Sequence, residues 1–294
     1  MLILISDAFD ASLEGKLKAF GEVTTDKAKA CEADVILVRA KTICDKAYID
    51  AAKNCKLIIR GGVGIDNIDK VYAESKGIIV KNTPKASSIA VAELTFALML
   101  SAPNHICEYH NGMKNGQWLK TIKRTELYGK TLGLLGIGNI ATKVAERAKA
   151  FGMNVVAYDK YVSSSQVATL VPTVEDAVKD ADYISIHMPL TDETRNMFNA
   201  DLFAKMNKKP VIVNAARGAI INAEDMVKAL EEGQVSWYCA DVYPNDPPAA
   251  DYPILKAERV TLTPHVGANS VENLLRIGDE IVDTIKALQA DGKI

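Results

Sequence analysis

Residues 131–159 read TLGLLGIGNIATKVAERAKAFGMNVVAYD, and this stretch decides the fold. The apolar run Thr131–Leu135 has the length and composition of a strand buried on both faces. It enters Gly136-Ile137-Gly138-Asn139-Ile140-Ala141, after which Ile140, Val144, Ala145, Ala148 and Phe151 recur at helical spacing as far as Gly152. A second apolar run, Val155–Tyr158, ends on Asp159, 23 residues beyond Gly136 (159 − 136). Strand, glycine turn, helix and strand in that order form a parallel βαβ unit, and Gly-x-Gly-x-x-Ala inside it is a dinucleotide fingerprint. Gly136 permits the tight turn, Gly138 lets the backbone approach a pyrophosphate, and Ala141 is small enough for the helix to close on the strand. The unpaired N–H groups of the helix N-terminus face the anion. Asp159 would accept hydrogen bonds from the ribose 2′-hydroxyl and repel a 2′-phosphate, so NAD is the expected cofactor. Lys160 beside it leaves NADP open.

The same alternation extends in both directions. Upstream, strand-like runs at Leu2–Ser6, Asp34–Arg39, Lys56–Arg60 and Ile78–Lys81 enclose helix-period segments at Ser12–Phe20, Lys46–Lys53 and Ile68–Lys76. Downstream, runs follow at Tyr183–His187, Val211–Ala215, Tyr238–Val242 and Val260–Thr263. Regular βαβα alternation means parallel sheets covered by helices on both faces. Two sets of strands predict an α/β protein of two doubly wound, Rossmann-like domains. A long, mostly helical stretch, Pro84 to Trp118, separates the sets, and a helix-period tail, Val271–Leu288, follows the last strand. That tail could return to the first set. The expected organisation is therefore discontinuous: 1–100 plus 268–294 as one domain, with 101–267 inserted as the dinucleotide-binding domain.

Composition agrees and excludes other classes. The 294 residues allow two domains at about 150 residues each. Lys plus Arg is 35 and Asp plus Glu 37, a net charge of −2, with no clustered basic stripe for a nucleic-acid backbone. The longest apolar stretch, Ile89–Leu100, is too short for a membrane span and carries Glu93. The N-terminus shows no basic or cleavage-like leader. Five scattered cysteines without Cys-x-x-Cys read as reduced, buried thiols of a cytoplasmic protein.

In open α/β sheets, ligands sit beyond the carboxyl ends of the strands. Those ends in the second set carry His187, Asn214 to Arg217, Asp241 and His265. Two of the chain's four histidines thus end apolar strands, near an arginine and acids. Such a set suits hydride transfer to a 2-oxo acid: an arginine fork binds the carboxylate and polarises the carbonyl, and a histidine gives a proton to the developing alkoxide while an acid orients it. No Gly-x-Ser-x-Gly or His-Glu-x-x-His occurs, so neither a serine nucleophile nor a metal is expected.

These motifs together resemble the D-isomer-specific 2-hydroxyacid dehydrogenase family over nearly the whole chain. Arg60-Gly61-Gly62-Val63-Gly64-Ile65-Asp66-Asn67-Ile68-Asp69 is similar to its substrate loop and Asn82-Thr83-Pro84 to the hinge that follows. His187-Met188-Pro189-Leu190-Thr191, Asn214-Ala215-Ala216-Arg217-Gly218, Asp241–Pro247 and Thr263-Pro264-His265-Val266-Gly267 resemble its later motifs. The resemblance implies Arg217 as substrate arginine, His265 as acid/base and Asp246 as its carboxylate partner, with Val63 and Gly64 N–H groups receiving the substrate carboxylate. It places Thr83, Asn139, Ile140, Asp159, His187, Met188, Thr194, Ala215, Ala216, Arg217, Asp241, His265 and Gly267 around NAD with Gly136 and Gly138. It also implies an active site between the domains, closed over the reacting carbon, and a homodimer. The family usually has Glu where this chain has Asp246, so Asp246 is either a closer partner for His265 or a loop residue.

Within the family the phosphoglycerate dehydrogenases are the most similar, which implies the first step of serine biosynthesis. Arg60 matches their phosphate-binding arginine, and Gly116-Gln117-Trp118 with Lys120, Lys123 and Arg124 resembles a basic segment offered across the dimer. Alternatively those three cations are a solvated face. The chain ends soon after its tail helix, which reads as a short form without the serine-sensing domain. Glyoxylate, hydroxypyruvate and other 2-oxo acids are the alternative substrates. An NAD-sensing corepressor-like protein is the alternative from another class.

Overall fold

The computed structural model describes all 294 residues. Twelve strands run in chain order as β1 (Leu2–Ile5), β2 (Glu22–Thr24), β3 (Val35–Val38), β4 (Leu57–Arg60), β5 (Ile79–Asn82), β6 (Thr131–Leu135), β7 (Asn154–Tyr158), β8 (Thr169–Leu170), β9 (Tyr183–Ile186), β10 (Val211–Asn214), β11 (Trp237–Ala240) and β12 (Val260–Leu262). The helices are α1 (Ser12–Leu17), α2 (Lys46–Ala51), α3 (Lys70–Ser75), α4 (Ser88–Ser101), α5 (Ile106–Lys114), α6 (Asn139–Ala150), α7 (Val174–Val178), α8 (Ala200–Phe203), α9 (Ala223–Glu231) and α10 (Val271–Ala290).

Two all-parallel sheets form, ordered β2-β1-β3-β4-β5 and β12-β11-β10-β9-β6-β7-β8. Two strands were not visible in the sequence pattern. β2 and β8 have three and two residues, and each pairs on one side only. An edge strand that short has no apolar run or period to announce it.

The chain divides into two compact units, Met1–Ala90 with Ala268–Ile294, and Val91–Gly267. The division falls inside α4, ten residues before the position expected from the strand pattern. Ala92, Phe96, Leu98 and Met99 of that helix join the core against β6, β10 and β11, so most of α4 belongs to the second unit.

In the first unit, alternate strand residues supply opposite faces. Ile3, Ile5, Leu37, Leu57 and Ile59 meet α1 and α10, whereas Leu4, Ile36, Val38 and Ile58 meet α2 and α3. The tail helix α10 starts at an N-cap where the Ser270 hydroxyl accepts from Asn273 N. It buries Ile277, Ile281, Ile285 and Leu288, one stripe at helical spacing. Each such burial is worth about 1.5–3 kcal/mol relative to exposure.

In the second unit, Val211 and Val213 face one layer while Ile212 faces the other. No single helix is long and apolar enough to cross a membrane. All five cysteines are free. Cys44, Cys55 and Cys239 are buried, but Cys31 and Cys107 are exposed, against the expectation that all are buried.

Candidate active site

Register places the site of the second unit. Leu135 lies opposite both Tyr158 and Ile186, Ile186 opposite Asn214, Asn214 opposite Ala240, and Ala240 opposite Leu262. The strands β6, β7, β9, β10, β11 and β12 therefore finish in one row. The next residues, Gly136, Asp159, His187, Ala215, Asp241 and Thr263, emerge along a single sheet edge. The strand order reverses between β6 and β9, the position where such sheets bind ligands.

At that switch point Gly136 adopts φ +93°, and a Cβ there would lie 2.9 Å from the His187 carbonyl oxygen. Only glycine satisfies both demands. Gly138 differs: it caps α6 in extended geometry, and a Cβ there would point into open space. Gly138 and Asn139 are exposed, Ile140 is half-buried, and Ala141 is fully buried against the sheet. The open N-terminus of a twelve-residue helix, with room for close approach of a ligand, fits the pyrophosphate of NAD. Asp159 Oδ2 accepts from Ile137 N (2.9 Å), and its Oδ1 accepts from Tyr161 N (2.8 Å) and Val162 N (3.1 Å). The acid at the end of β7 thereby ties the glycine turn to its own loop.

Beyond β9, His187 Nε2 pairs with the Ser185 hydroxyl at 2.8 Å. Burial pushes the His187 pKa down to about 4, so the ring is neutral at pH 7. Met188 packs on the core beneath, and the Thr194 hydroxyl donates to the Pro189 carbonyl (2.7 Å) while accepting from Thr191 N (2.8 Å). The loop is closed on itself.

After β10, the Asn214 side chain shapes the arginine turn. Its Oδ1 accepts from Ala216 N (3.0 Å) and its Nδ2 donates to the Arg217 carbonyl (2.9 Å). Arg217 Nη1 donates to the Ala216 carbonyl at 2.6 Å. A Cβ on Gly218 would lie 2.1 Å from the Tyr243 carbonyl carbon and 2.5 Å from Pro244 N, so the loop after β11 packs directly on this turn.

That loop carries two acids with different tasks. Asp241 is 1% exposed. Its Oδ1 accepts from the Thr263 hydroxyl (2.7 Å) and Val266 N (2.8 Å), and its Oδ2 from Gly267 N (2.8 Å). One buried carboxylate thus clamps both sides of His265, which sits at φ +54°. Asp246 is exposed, and its Oδ2 hydrogen-bonds His265 Nδ1. A carboxylate only accepts, so Nδ1 is the protonated nitrogen, and Nε2 is left to take or give a proton. The shorter Asp246 reaches His265 despite having one methylene less than glutamate.

The first unit holds the other predicted residues. Arg60 ends β4, and its guanidinium lies over Gly62, where a Cβ would meet Nη1 at 1.5 Å. Thr83 is fully buried, and its hydroxyl accepts from Gly62 N at 2.7 Å while Gly62 O accepts from Thr83 N at 3.0 Å. These contacts tie the start of the segment after β5 to the glycine loop. Val63 is exposed and Gly64 half-buried. Asn82 Nδ2 donates to the Val63 carbonyl.

Sequence reasoning assigned no role to Asn214, Ser185, Thr263 or Tyr243, whose hydroxyl donates to the Thr263 carbonyl at 3.0 Å. A polar residue ending or following an apolar run was the available signal for Asn214 and Thr263, and a lone serine inside the apolar run of β9 was the signal for Ser185. Tyr243 gave none.

Residues 96–267 match the profile described as D-isomer specific 2-hydroxyacid dehydrogenase, NAD binding domain. A D-3-phosphoglycerate dehydrogenase of Methanocaldococcus jannaschii is 43% identical over 263 residues, 88% of this chain and 50% of that protein. A hydroxypyruvate reductase of Thermotoga maritima is 42% identical over 257 residues, 86% of this chain and 84% of that protein. The chain spans about half the length of the first of these. Among solved structures, a D-lactate dehydrogenase of Aquifex aeolicus, complexed with NAD and lactic acid, is 27% identical with a TM-score of 0.86, covering 100% of this chain and 97% of that one. An acyclic imino acid reductase in complex with NADPH and D-Arg is 25% identical with a TM-score of 0.90, covering 99% and 98%. The chain belongs to the D-isomer-specific 2-hydroxyacid dehydrogenase family, with residues 96–267 as its NAD-binding domain.

Proposed function

We propose that this chain is an NAD-dependent oxidoreductase that oxidises D-3-phosphoglycerate to 3-phosphohydroxypyruvate, the first step of serine biosynthesis, or reduces the oxo acid in reverse. The observation that carries the oxidoreductase reading is the Asp246–His265 pair on a loop clamped by buried Asp241. NAD supplies the hydride acceptor when bound, held by Gly136, Gly138, Asn139 and Ile140 at the α6 N-terminus, with Asp159 at the ribose. His187, Met188, Thr194, Ala215, Ala216 and Gly267 complete that set. His265 Nε2 takes the proton of the C2 hydroxyl, and Asp246 stabilises the resulting imidazolium through Nδ1. Arg217 holds the substrate carboxylate and polarises the C2 oxygen. Val63 and Gly64 N–H groups receive the same carboxylate, and Arg60 receives the phosphate.

A second reading has its own support. The hydroxypyruvate reductase relative is nearly as similar as the phosphoglycerate dehydrogenase, and the chain covers 84% of it rather than 50%. In that case Arg60 serves the glycine loop alone. Measuring kcat/KM for 3-phosphoglycerate and D-glycerate, in wild type and Arg60→Ala, separates them. Phosphoglycerate dehydrogenase activity requires a phosphate advantage in wild type that is reduced in the variant. No advantage in wild type removes that reading in favour of the unphosphorylated acid.

The active form is proposed as a homodimer. Ile106 and Met113 on α5 are each 56% exposed and Trp118 just beyond is 74% exposed, apolar area that a second copy would cover.

A further inference from the structure

Similar solved structures hold NAD in one case and NADPH in another, so this fold alone does not choose between them. The choice must lie in the few charges near the ribose 2′ position, which the fingerprint puts at the end of β7. In the loop 159–166 the only lysine or arginine is Lys160, immediately after Asp159. A 2′-phosphate is a dianion that requires a cation there. Lys160 is already engaged: its Nζ lies 2.8 and 2.7 Å from the two carboxylate oxygens of Glu193, which comes from the loop after β9. That contact, first by hydrogen bonding and then by charge, also raises the Lys160 pKa. Asp159 is no adjustable element, because its oxygens hold Ile137, Tyr161 and Val162 N–H groups.

We infer that Glu193 is a cofactor-specificity residue, which excludes NADP by holding Lys160, the only cation that loop 159–166 itself carries, and adding a second negative charge at the ribose 2′ position. Lys160 and Glu193 are 51% and 70% exposed, so their pairing does little for stability and is open to competition by an incoming anion. With Glu193 neutralised, a freed ammonium about 5 Å from a dianion in water corresponds to about tenfold in affinity. This selection concerns cofactor binding in a family whose domain binds NAD, and does not depend on the proposed substrate. A failed turnover assay therefore leaves it untouched.

Isothermal titration of the full chain with NAD, NADP, ADP and 2′,5′-ADP tests it directly. The expected result for Glu193→Gln is a fall of about tenfold in the Kd of NADP relative to that of NAD, matched by 2′,5′-ADP relative to ADP. The double variant Glu193→Gln, Lys160→Ala should lose that gain. An unchanged NADP-to-NAD ratio in Glu193→Gln overturns the inference, as does a gain that persists without Lys160.

Discussion

Replacing Asp241 with asparagine tests whether a buried carboxylate, rather than the loop sequence, holds His265 in place. The native side chain accepts three hydrogen bonds, from the Thr263 hydroxyl, Val266 N and Gly267 N, and donates none. Asparagine retains one accepting oxygen. If that oxygen keeps Thr263 and Val266, the new amide group faces Gly267 N–H, donor against donor. One charge-assisted bond worth about 1.5–3 kcal/mol is lost, and a buried donor is stranded at about 1–3 kcal/mol. A net loss of about 3 kcal/mol is expected. For a unit of this size, about 3 °C per kcal/mol converts that to a Tm lower by about 10 °C. Differential scanning calorimetry reads it, and kcat should fall with it because His265 loses its anchor on the following two residues. A variant melting within about 2 °C of wild type would refute the clamp, whatever happened to turnover.

Asp246 should behave oppositely. Asp246→Ala removes an exposed partner of His265, so Tm should change by less than about 1 °C while kcat for oxidation falls about 10- to 100-fold and the acidic limb of its pH–rate profile moves. Unchanged turnover and profile would make it a loop residue. Gly218→Ala should yield insoluble or strongly destabilised protein, by about 3 kcal/mol or more, because the new methyl collides with the Tyr243–Pro244 backbone; a wild-type melt would show that the loop after β11 moves freely. The neutral His187 should make stability pH-dependent. Its folded pKa of about 4 lies below the usual 6.5, so the unfolded chain binds more protons between those values. The contribution is whole above pH 6.5 and is lost as pH falls towards 4, by up to about 3 kcal/mol. His187→Asn should flatten that window in urea titrations at stepped pH, and an unaltered slope would assign the acid sensitivity to other groups.

The βαβ core was legible because its signals are local. A buried parallel strand is an uninterrupted apolar run, and the turn after β6 needs glycine for backbone reasons visible in Gly136 and Gly138 themselves. The residues at the ends of those runs could be nominated for the same reason, since a strand that stops at a sheet edge exposes whatever follows it. The short edge strands β2 and β8 escaped because two or three residues paired on one side carry no period. The end of the first unit escaped because α4 is one continuous helix whose apolar residues do not declare which core they enter.

By itself, then, the chain's pattern determined the α/β class and the dinucleotide fingerprint and nominated Arg217 and His265, while Asp246 came from the family resemblance. Tertiary structure alone decided what each acid does. Asp241 and Asp246 are five positions apart in one loop, yet one is buried beneath three donors and the other is exposed beside an imidazole. Likewise Lys160 has a neighbour in Asp159 along the chain but a partner in Glu193 across the sheet edge. Burial and pairing depend on which strands lie side by side, and contacts between residues distant in the chain exist only once the register is set.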